Sequence, residues 1–467
     1  MLLIGAIDVA VVVVLLYVGS RKGIEAILPL FAFVVVLVPG ESVIPLPGLF
    51  TITTQRVALA TLTTLYLWRR PSNTQRFRTP LGALLLVHIA WCALSTVNSV
   101  VFATSIKYLL SQVCEYYLMY FILVHAISSA NTMRKILAGM VAAVFVACLC
   151  GAVEAYTDWS IVQWFPAQAH RFTMNADSVL DRGQRISSTF SHPILFGAGI
   201  AFVMVELFYL LSVTRRGSQK MFLWIATLPM FLCIYKTGSR GPWLALAAGL
   251  CIMFLCPLQG LRRRLLGIAG LVVLVLLIRP GVYDSLNAVY GGTVSNDPNS
   301  VLANSYQYRF ALWRVAYHAL ARDPLRAVWG YGMESWYDLH LVEPFGTNPA
   351  YPFDSCDSSW VQAMAETGYV GLGLFILLLF KPAHRALVSF AKTRKSSHYL
   401  YLVLLINMIQ YYFMMYSVGL YSWGQTGYML WMWIAMVMAY RNIEQKQAKQ
   451  VHSKRSLVLS EKVPVGA

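Results

Sequence analysis

Three carboxylates stand close together late in the chain. Asp354 and Asp357 fall in the run Asp354-Ser-Cys-Asp357-Ser-Ser-Trp360, and Glu366 follows in Glu366-Thr-Gly-Tyr-Val-Gly371. A carboxylate so placed can take a proton from an attacking hydroxyl. Asp354 and Asp357 could also ligate a divalent cation, although two acids at this spacing are weak evidence for a metal site and none is expected. Fixed cations precede them: Arg185 in Asp181-Arg-Gly-Gln-Arg185-Ile-Ser-Ser-Thr-Phe190-Ser-His192-Pro193, the pair Lys236 and Arg240 in Lys236-Thr-Gly-Ser-Arg240-Gly-Pro242, and Arg309 and Arg314 further on. Guanidinium groups bind phosphate oxygens through charge-assisted hydrogen bonds. The Gly-Pro after Arg240 makes a helix start, since proline is tolerated in the first turn, and a helix N-terminus beside an arginine is a natural anion site. The chemistry these residues fit is departure of an anionic leaving group with a base nearby.

Each of these residues also has a plainer reading. Asp357 can simply cap the helix that follows it, and Lys236 and Arg240 can snorkel from a helix end to lipid headgroups. His192 before Pro193 reads as a helix-start residue rather than a base, and His340 is a weaker acid/base candidate than Asp357. Glu366 is the least ordinary. In a helix beginning near Ser359 it lies about 10 Å along the axis, inside an apolar span where an ionisable group is costly and usually functional.

The elements that must hold these residues are membrane helices. Of 467 residues, 58% are hydrophobic and only 12% charged, about half the charged share of a soluble globular protein. That composition excludes an ordinary soluble fold. The net charge of +17 comes from short basic clusters between apolar runs and from the tail, which fits topogenesis and anionic lipid headgroups and not nucleic acid. The first apolar stretch has its basic residues, Arg21 and Lys22, after it, the wrong flank for a cleaved signal. Seven of the eight cysteines lie in or at the ends of apolar runs and Cys356 stands in a long loop; neither a disulfide framework nor zinc spacing is visible.

Counting runs long enough to cross about 30 Å of hydrocarbon predicts an all-α integral membrane protein of about 12–13 transmembrane helices with two long extracytoplasmic loops. The expected division is N-terminal membrane helices over 1–153, a first outer loop over 154–192, central helices over 193–280 with a short outer turn at 236–242, a large outer loop over 281–358, C-terminal helices over 359–440 and a basic cytoplasmic tail over 441–467. Orientation follows the lysine and arginine clusters at 69–78, 215–220, 262–264, 392–395 and in the tail, all voting for the inside. The turn at 236–242 breaks that rule by placing two cations outside, which marks it for a task. Within the large loop, residues 304–322 read as an amphipathic helix whose stripe of Tyr306, Phe310, Trp313, Tyr317 and Leu320 is expected to pack or to rest in the membrane interface. Trp329-Gly-Tyr-Gly332-Met-Glu-Ser-Trp336 supplies glycine turns and aromatics suited to a carbohydrate-lined wall.

Three of these stretches together carry a family resemblance. Arg185-Ile-Ser-Ser-Thr-Phe-Ser-His-Pro, Thr237-Gly-Ser-Arg240-Gly-Pro-Trp, and Arg309 to Gly332 leading to Glu366-Thr-Gly-Tyr-Val-Gly371 resemble, in this order, the O-antigen ligase and O-antigen polymerase superfamily of bacterial envelope glycosyltransferases. The likeness covers roughly residues 180–372. It implies transfer of a glycan from undecaprenyl diphosphate to an acceptor hydroxyl on the outer face of the bacterial inner membrane, with a flippase and a chain-length regulator as partners, membrane lipids as surroundings and no cofactor. Arg185, Arg240, Arg309, Lys236 and His340 would then bind the diphosphate or glycan, and Asp357, Glu366 and Arg240 would carry the chemistry. Ligases of this kind usually place a histidine about nine residues before the glutamate; here that offset falls on Asp357. The departure points to a polysaccharide polymerase, with a ligase acting on lipid A core as the alternative enzyme. A lipid-linked glycan transporter is the alternative from another class, but the ionisable residues gather on one outer side and not at mid-membrane.

Overall fold

A computed structural model describes residues 2–44, 51–69, 79–157, 159–165, 185–256, 301–392, 398–422 and 424–439, with single positions at 266, 267, 270 and 443. The helices are α1 (Leu2–Lys22), α2 (Ile24–Leu37), α3 (Thr54–Trp68), α4 (Gly82–Val97), α5 (Phe102–Ala126), α6 (Ala130–Glu154), α7 (Pro193–Val213), α8 (Gly217–Lys236), α9 (Arg240–Leu255), α10 (Val301–Ala321), α11 (Pro324–Trp329), α12 (Ser359–Lys392), α13 (His398–Met414) and α14 (424–439). Among the described residues six of these, α1, α5, α6, α7, α8 and α12, are long and apolar enough to cross a membrane, and α2, α4, α9 and α13 are shorter apolar helices. The protein is an all-α, multi-pass membrane protein. Of the central helices expected over 193–280, nearly all of 257–280 falls outside the described residues, as do the basic cluster at 262–264 and nearly all of the tail.

Local chemistry sets the helix ends. Ser129 and Thr53 accept backbone amides at the starts of α6 and α3, and the His192 imidazole accepts the Ile194 amide at the start of α7, each replacing a hydrogen bond the first turn lacks. In α7, 94% of the apolar window is buried, and α14 from Tyr428 to Ala439 is buried throughout. Helices apolar on every side belong at the centre of a bundle, and α13 joins them there. One polar tie locks the three: Glu206 Oε1 of α7 accepts from Asn407 Nδ2 of α13 and from Trp433 Nε1 of α14, both at 2.8 Å. Around this centre α2 lies so close to α6 that a side chain at Gly139 would overlap the Pro29 carbonyl.

Among the described residues two short antiparallel strand pairs supplement the helices. The strands β1 (Val43–Ile44) and β2 (Ile52–Thr53) pair before α3, and β3 (Val342–Phe345) pairs with β4 (Asn348–Pro352) inside the large loop, with an irregularity in register between Glu343 and Phe345. The hairpin and α10 share a small core of their own, in which Leu312, Val315, Ala316 and Leu320 meet Trp336, Phe353 and Val361. Protein packing and the membrane interface were both expected for the stripe of this amphipathic helix, and its described residues divide between inward and outward places. Aliphatic residues form its buried side, whereas Phe310 and Tyr317 of the aromatic stripe are 51% and 58% exposed. Leu320, at the end of that stripe, is fully buried, and Trp313 packs against the same core. Phe310 and Tyr317 face outward from the loop core, where rings suit a lipid interface.

Helix α12 is two helices across a break. Gly368 has φ 71° and ψ −177°, a conformation open to glycine and strained for other residues. The part from Tyr369 to Lys392 alone spans about 36 Å, enough to cross the bilayer. Glu366 therefore lies on the short helix before the break, two residues from it, and not on one uninterrupted helix.

Candidate functional site

The turn between α8 and α9 is held by Arg185. Its Nε donates to the Thr237 carbonyl at 2.7 Å and its Nη2 to Ser239 Oγ at 2.6 Å. Gly238 takes φ 57° beneath the arginine stem, a left-handed position that glycine accepts without strain. Ser239 is the N-cap of α9, yet its hydroxyl is occupied by Arg185 and the Thr237 carbonyl and makes no capping bond. Arg240 is the first residue of the helix, and a helix N-terminus attracts anions through its amides and its dipole.

The same end of the bundle is joined to the large loop by the turn after α13. Arg309 Nε of α10 donates to the Ser417 carbonyl at 3.1 Å, and Gly241 faces Ser417 Oγ, which would lie 3.9 Å from a Cβ placed there. The start of α12 is pinned to the same turn. The Ser359 amide donates to the Met415 carbonyl at 3.0 Å, and the hydroxyls of Ser358 and Ser359 donate to the carbonyls of Met415 and Val418. Asp357, one residue before this anchor, therefore stands beside Arg309. Burial pulls the Arg309 guanidinium below its ordinary pKa, opposed by the Asp357 carboxylate and the Tyr416 phenol; an arginine still keeps its proton at neutral pH. Asp357 also accepts the Ser355 hydroxyl at 3.0 Å.

Beside Asp357 lies a cavity of about 410 Å³ whose wall includes Asp354, Ser355, Gln362, Glu366 and Glu334. Glu366 is buried and accepts from Gln362 Nε2 at 2.8 Å. The helix break leaves backbone carbonyls without helical partners, and these are satisfied from outside: Ser95 Oγ and the Gly332 amide reach the Glu366 carbonyl, and Trp91 Nε1 reaches that of Thr367. Glu334 is accessible from the cavity yet surrounded by protein on most sides, and the lost hydration raises its carboxyl above the usual range. It is the residue that sequence reasoning missed. Its signal was the glycine-flanked run Gly330-Tyr-Gly-Met-Glu334, whose φ of 77° at Gly330, 101° at Gly332 and 56° at Glu334 folds the segment onto Glu366.

The expected site residues thus divide. Arg185, Lys236 and Arg240 meet at one turn, and Arg309 and Asp357 meet at the α13 turn, which touches the first through Gly241. The Lys236 ammonium lies 5.2 Å from the centre of the Tyr156 ring. His340 is exposed at the end of a 3₁₀ turn, its ring edge-on to Tyr337 at 6.1 Å, and does not join either group through the contacts observed. Arg314 and His318 hold Glu343 of β3, at 3.4 and 2.8 Å, so they fasten the hairpin to α10. The Gly330 and Gly332 turns bring backbone against α12 instead of forming an open aromatic wall, and Trp329 stacks on Trp91 at 4.9 Å. His192 sits close to Arg185, and burial, aided by that arginine, lowers its pKa to about 3. Its observed place is the helix cap.

Residues 225–376 match the family model described as O-antigen ligase, and no curated protein matches the chain. The matched segment holds Lys236, Arg240, Arg309, Glu334, His340, Asp357 and Glu366. Arg185 lies before it and reaches into it through Thr237 and Ser239.

Proposed function

We propose that this chain, a member of the O-antigen ligase and polymerase superfamily by the segment it carries at residues 225–376, joins undecaprenyl-diphosphate-linked oligosaccharide repeat units into an exopolysaccharide, capsule or O-antigen. It acts as a membrane glycosyltransferase in the bacterial inner membrane, on the face turned to the periplasm or cell exterior. The observation that carries this reading is the convergence at one end of the bundle of Arg185, Arg240, Arg309 and the N-terminus of α9 with the carboxylate of Asp357.

In this reaction the acceptor hydroxyl oxygen forms a bond to the anomeric carbon of the donor sugar. The bond from that carbon to the diphosphate oxygen breaks, and its electron pair leaves with undecaprenyl diphosphate. Arg240, the α9 amides, Arg185 and Arg309 neutralise the charge that builds there; one such donor is worth about 10²–10³ in rate. Asp357 takes the hydroxyl proton. Glu366, with Glu334, lines the cavity beside it and orients the acceptor, and Lys236 and His340 line the approach. Charge neutralisation is supplied by side chains, so the reaction runs in EDTA. A flippase supplies the lipid-linked unit and a chain-length regulator limits the product.

The polymerase reading rests on Asp357 standing where ligases of this kind carry a histidine. A ligase that moves a finished glycan to lipid A core is the second reading, favoured by the description of the matching family. Arg240→Ala and Asp357→Asn, each expressed in cells lacking the wild-type protein, are expected to abolish long polymer while membrane levels stay normal by immunoblot. Polymer of ordinary length from either variant removes that residue from the chemistry.

A further inference from the structure

A second cavity, which the chemistry above does not use, lies between the first half of the chain and the start of α14. It measures about 500 Å³, within the range of small-molecule sites, and its wall comes from α3, α5 and the starts of α7 and α14, all outside the matched segment. Glu115 sits in a π-helical turn, Val113–Tyr117, inside α5, a distortion that recurs at functional positions. Arg56 binds it at 2.7 Å and the Tyr428 hydroxyl at 3.0 Å. Glu41 adds a second buried carboxylate. The ionisable balance of this wall, two acids against one guanidinium, disfavours a diphosphate. Its amides, hydroxyls and tyrosine rings, among them Gln112, Ser111 and Tyr108, suit a polyol; hydroxyl groups pair with such donors and acceptors and rings cover the sugar face.

The cavity is also connected to the candidate site. Tyr108 and Gln112 line both it and a narrow void that ends at Gln362 and Glu366, and those two residues form the wall of the outer cavity. Each neighbouring pair of these three spaces thus shares two wall residues.

We propose that the inner cavity is a second glycan-binding site, taking the phosphate-free sugars of the acceptor, while the cationic end of the bundle takes the diphosphate of the donor. The identity of the ligand as a sugar rests on the glycosyl-transfer reading; its location rests on the cavity.

The test is binding without turnover. Purified full-length protein in nanodiscs is titrated by calorimetry with phosphate-free oligosaccharide prepared by partial hydrolysis of the polysaccharide made by the cells that express it. Saturable binding is expected, weakened at least tenfold by Ser111→Trp, which fills the cavity, and by Tyr108→Ala, which empties one wall of it without adding bulk. Thermal melting and monodispersity identify a variant that has not folded, and the other then carries the test. Inorganic pyrophosphate should not compete, and Arg240→Ala should bind the oligosaccharide as the wild type does. The proposal is overturned by no saturable binding to the wild type, by binding indifferent to both cavity variants, or by competition from pyrophosphate together with loss in Arg240→Ala. A chain that binds as expected but makes no polymer contradicts the polymerase reading and leaves the site in place.

Discussion

Arg185 illustrates how a charge becomes a positioned charge. It makes two directed bonds to the α8–α9 turn, a fork that a lysine cannot reproduce because its ammonium is a single point. Arg185→Lys is therefore expected to lower glycosyl transfer by roughly a hundredfold, the scale of a small misplacement near reacting atoms, with little change in thermal melting; full activity would mean that only its charge matters. His192 gives a prediction of the opposite kind. Its folded pKa is about 3 against 6.5 in its ordinary state, so as pH falls below about 6.5 the unfolded chain takes a proton that the folded chain refuses, and stability is lost. His192→Asn keeps an acceptor for the Ile194 amide without titrating, and its melting temperature should fall less between pH 7 and pH 5 than that of the wild type. An equal fall would relieve His192 of the effect. At this scale the sequence was informative for residues near a helix start: Arg240 and Asp357 stand two residues before Pro242 and Ser359, and Arg185 eight before Pro193, where apolar runs begin. Glu334 was not legible, because its position depends on left-handed backbone at Gly330 and Gly332 that composition does not announce.

Among the elements, the decisive one is the broken helix α12. Its break at Gly368 lets α11 lie against it, and a side chain at Gly330 would overlap the Glu366 backbone while one at Gly368 would overlap the Val328 carbonyl. Gly330→Ala should push α11 away from α12, with loss of activity and of folded protein, because both the overlap and the φ of 77° oppose it. Gly346→Ala is the control. Its φ is 58°, but nothing lies within 4 Å of the added carbon, so only the strain of about 1–2 kcal/mol remains. Equal behaviour of the two variants in thermal melting and polymer yield would show that close packing at the break is unimportant. Helix existence was legible from the apolar runs, as α7 and α8 show, since length and hydrophobicity decide it. The break was not, since Glu366-Thr-Gly-Tyr within an apolar run reads as continuous helix. The stripe on α10 was legible only as two alternatives, for a related reason. Aromatic spacing marks a face, but whether that face meets protein or lipid depends on what the hairpin and α12 bring to the other side.

For the molecule as a whole, one end of the bundle gathers nearly all the groups argued to act, although they are scattered from Arg185 to Glu366 along the chain. Two turns do the gathering, 236–241 and 415–418, and the second was invisible to sequence reasoning because it carries no charge and works through backbone carbonyls. The central helices α7, α13 and α14 are tied at Glu206; the second turn follows α13, and the first joins α8 and α9, which both pack on α7. That arrangement fits a transferase that holds a lipid diphosphate at the membrane surface, and the claim most in need of a direct test is that it extends a glycan by repeated transfer. Purified protein in liposomes, given a short undecaprenyl-diphosphate oligosaccharide with and without a lipid A core acceptor, should yield a ladder of products spaced by one repeat unit and needing no added acceptor. A single product that appears only with the acceptor, or movement of substrate between leaflets with no new glycosidic bond, would contradict the account.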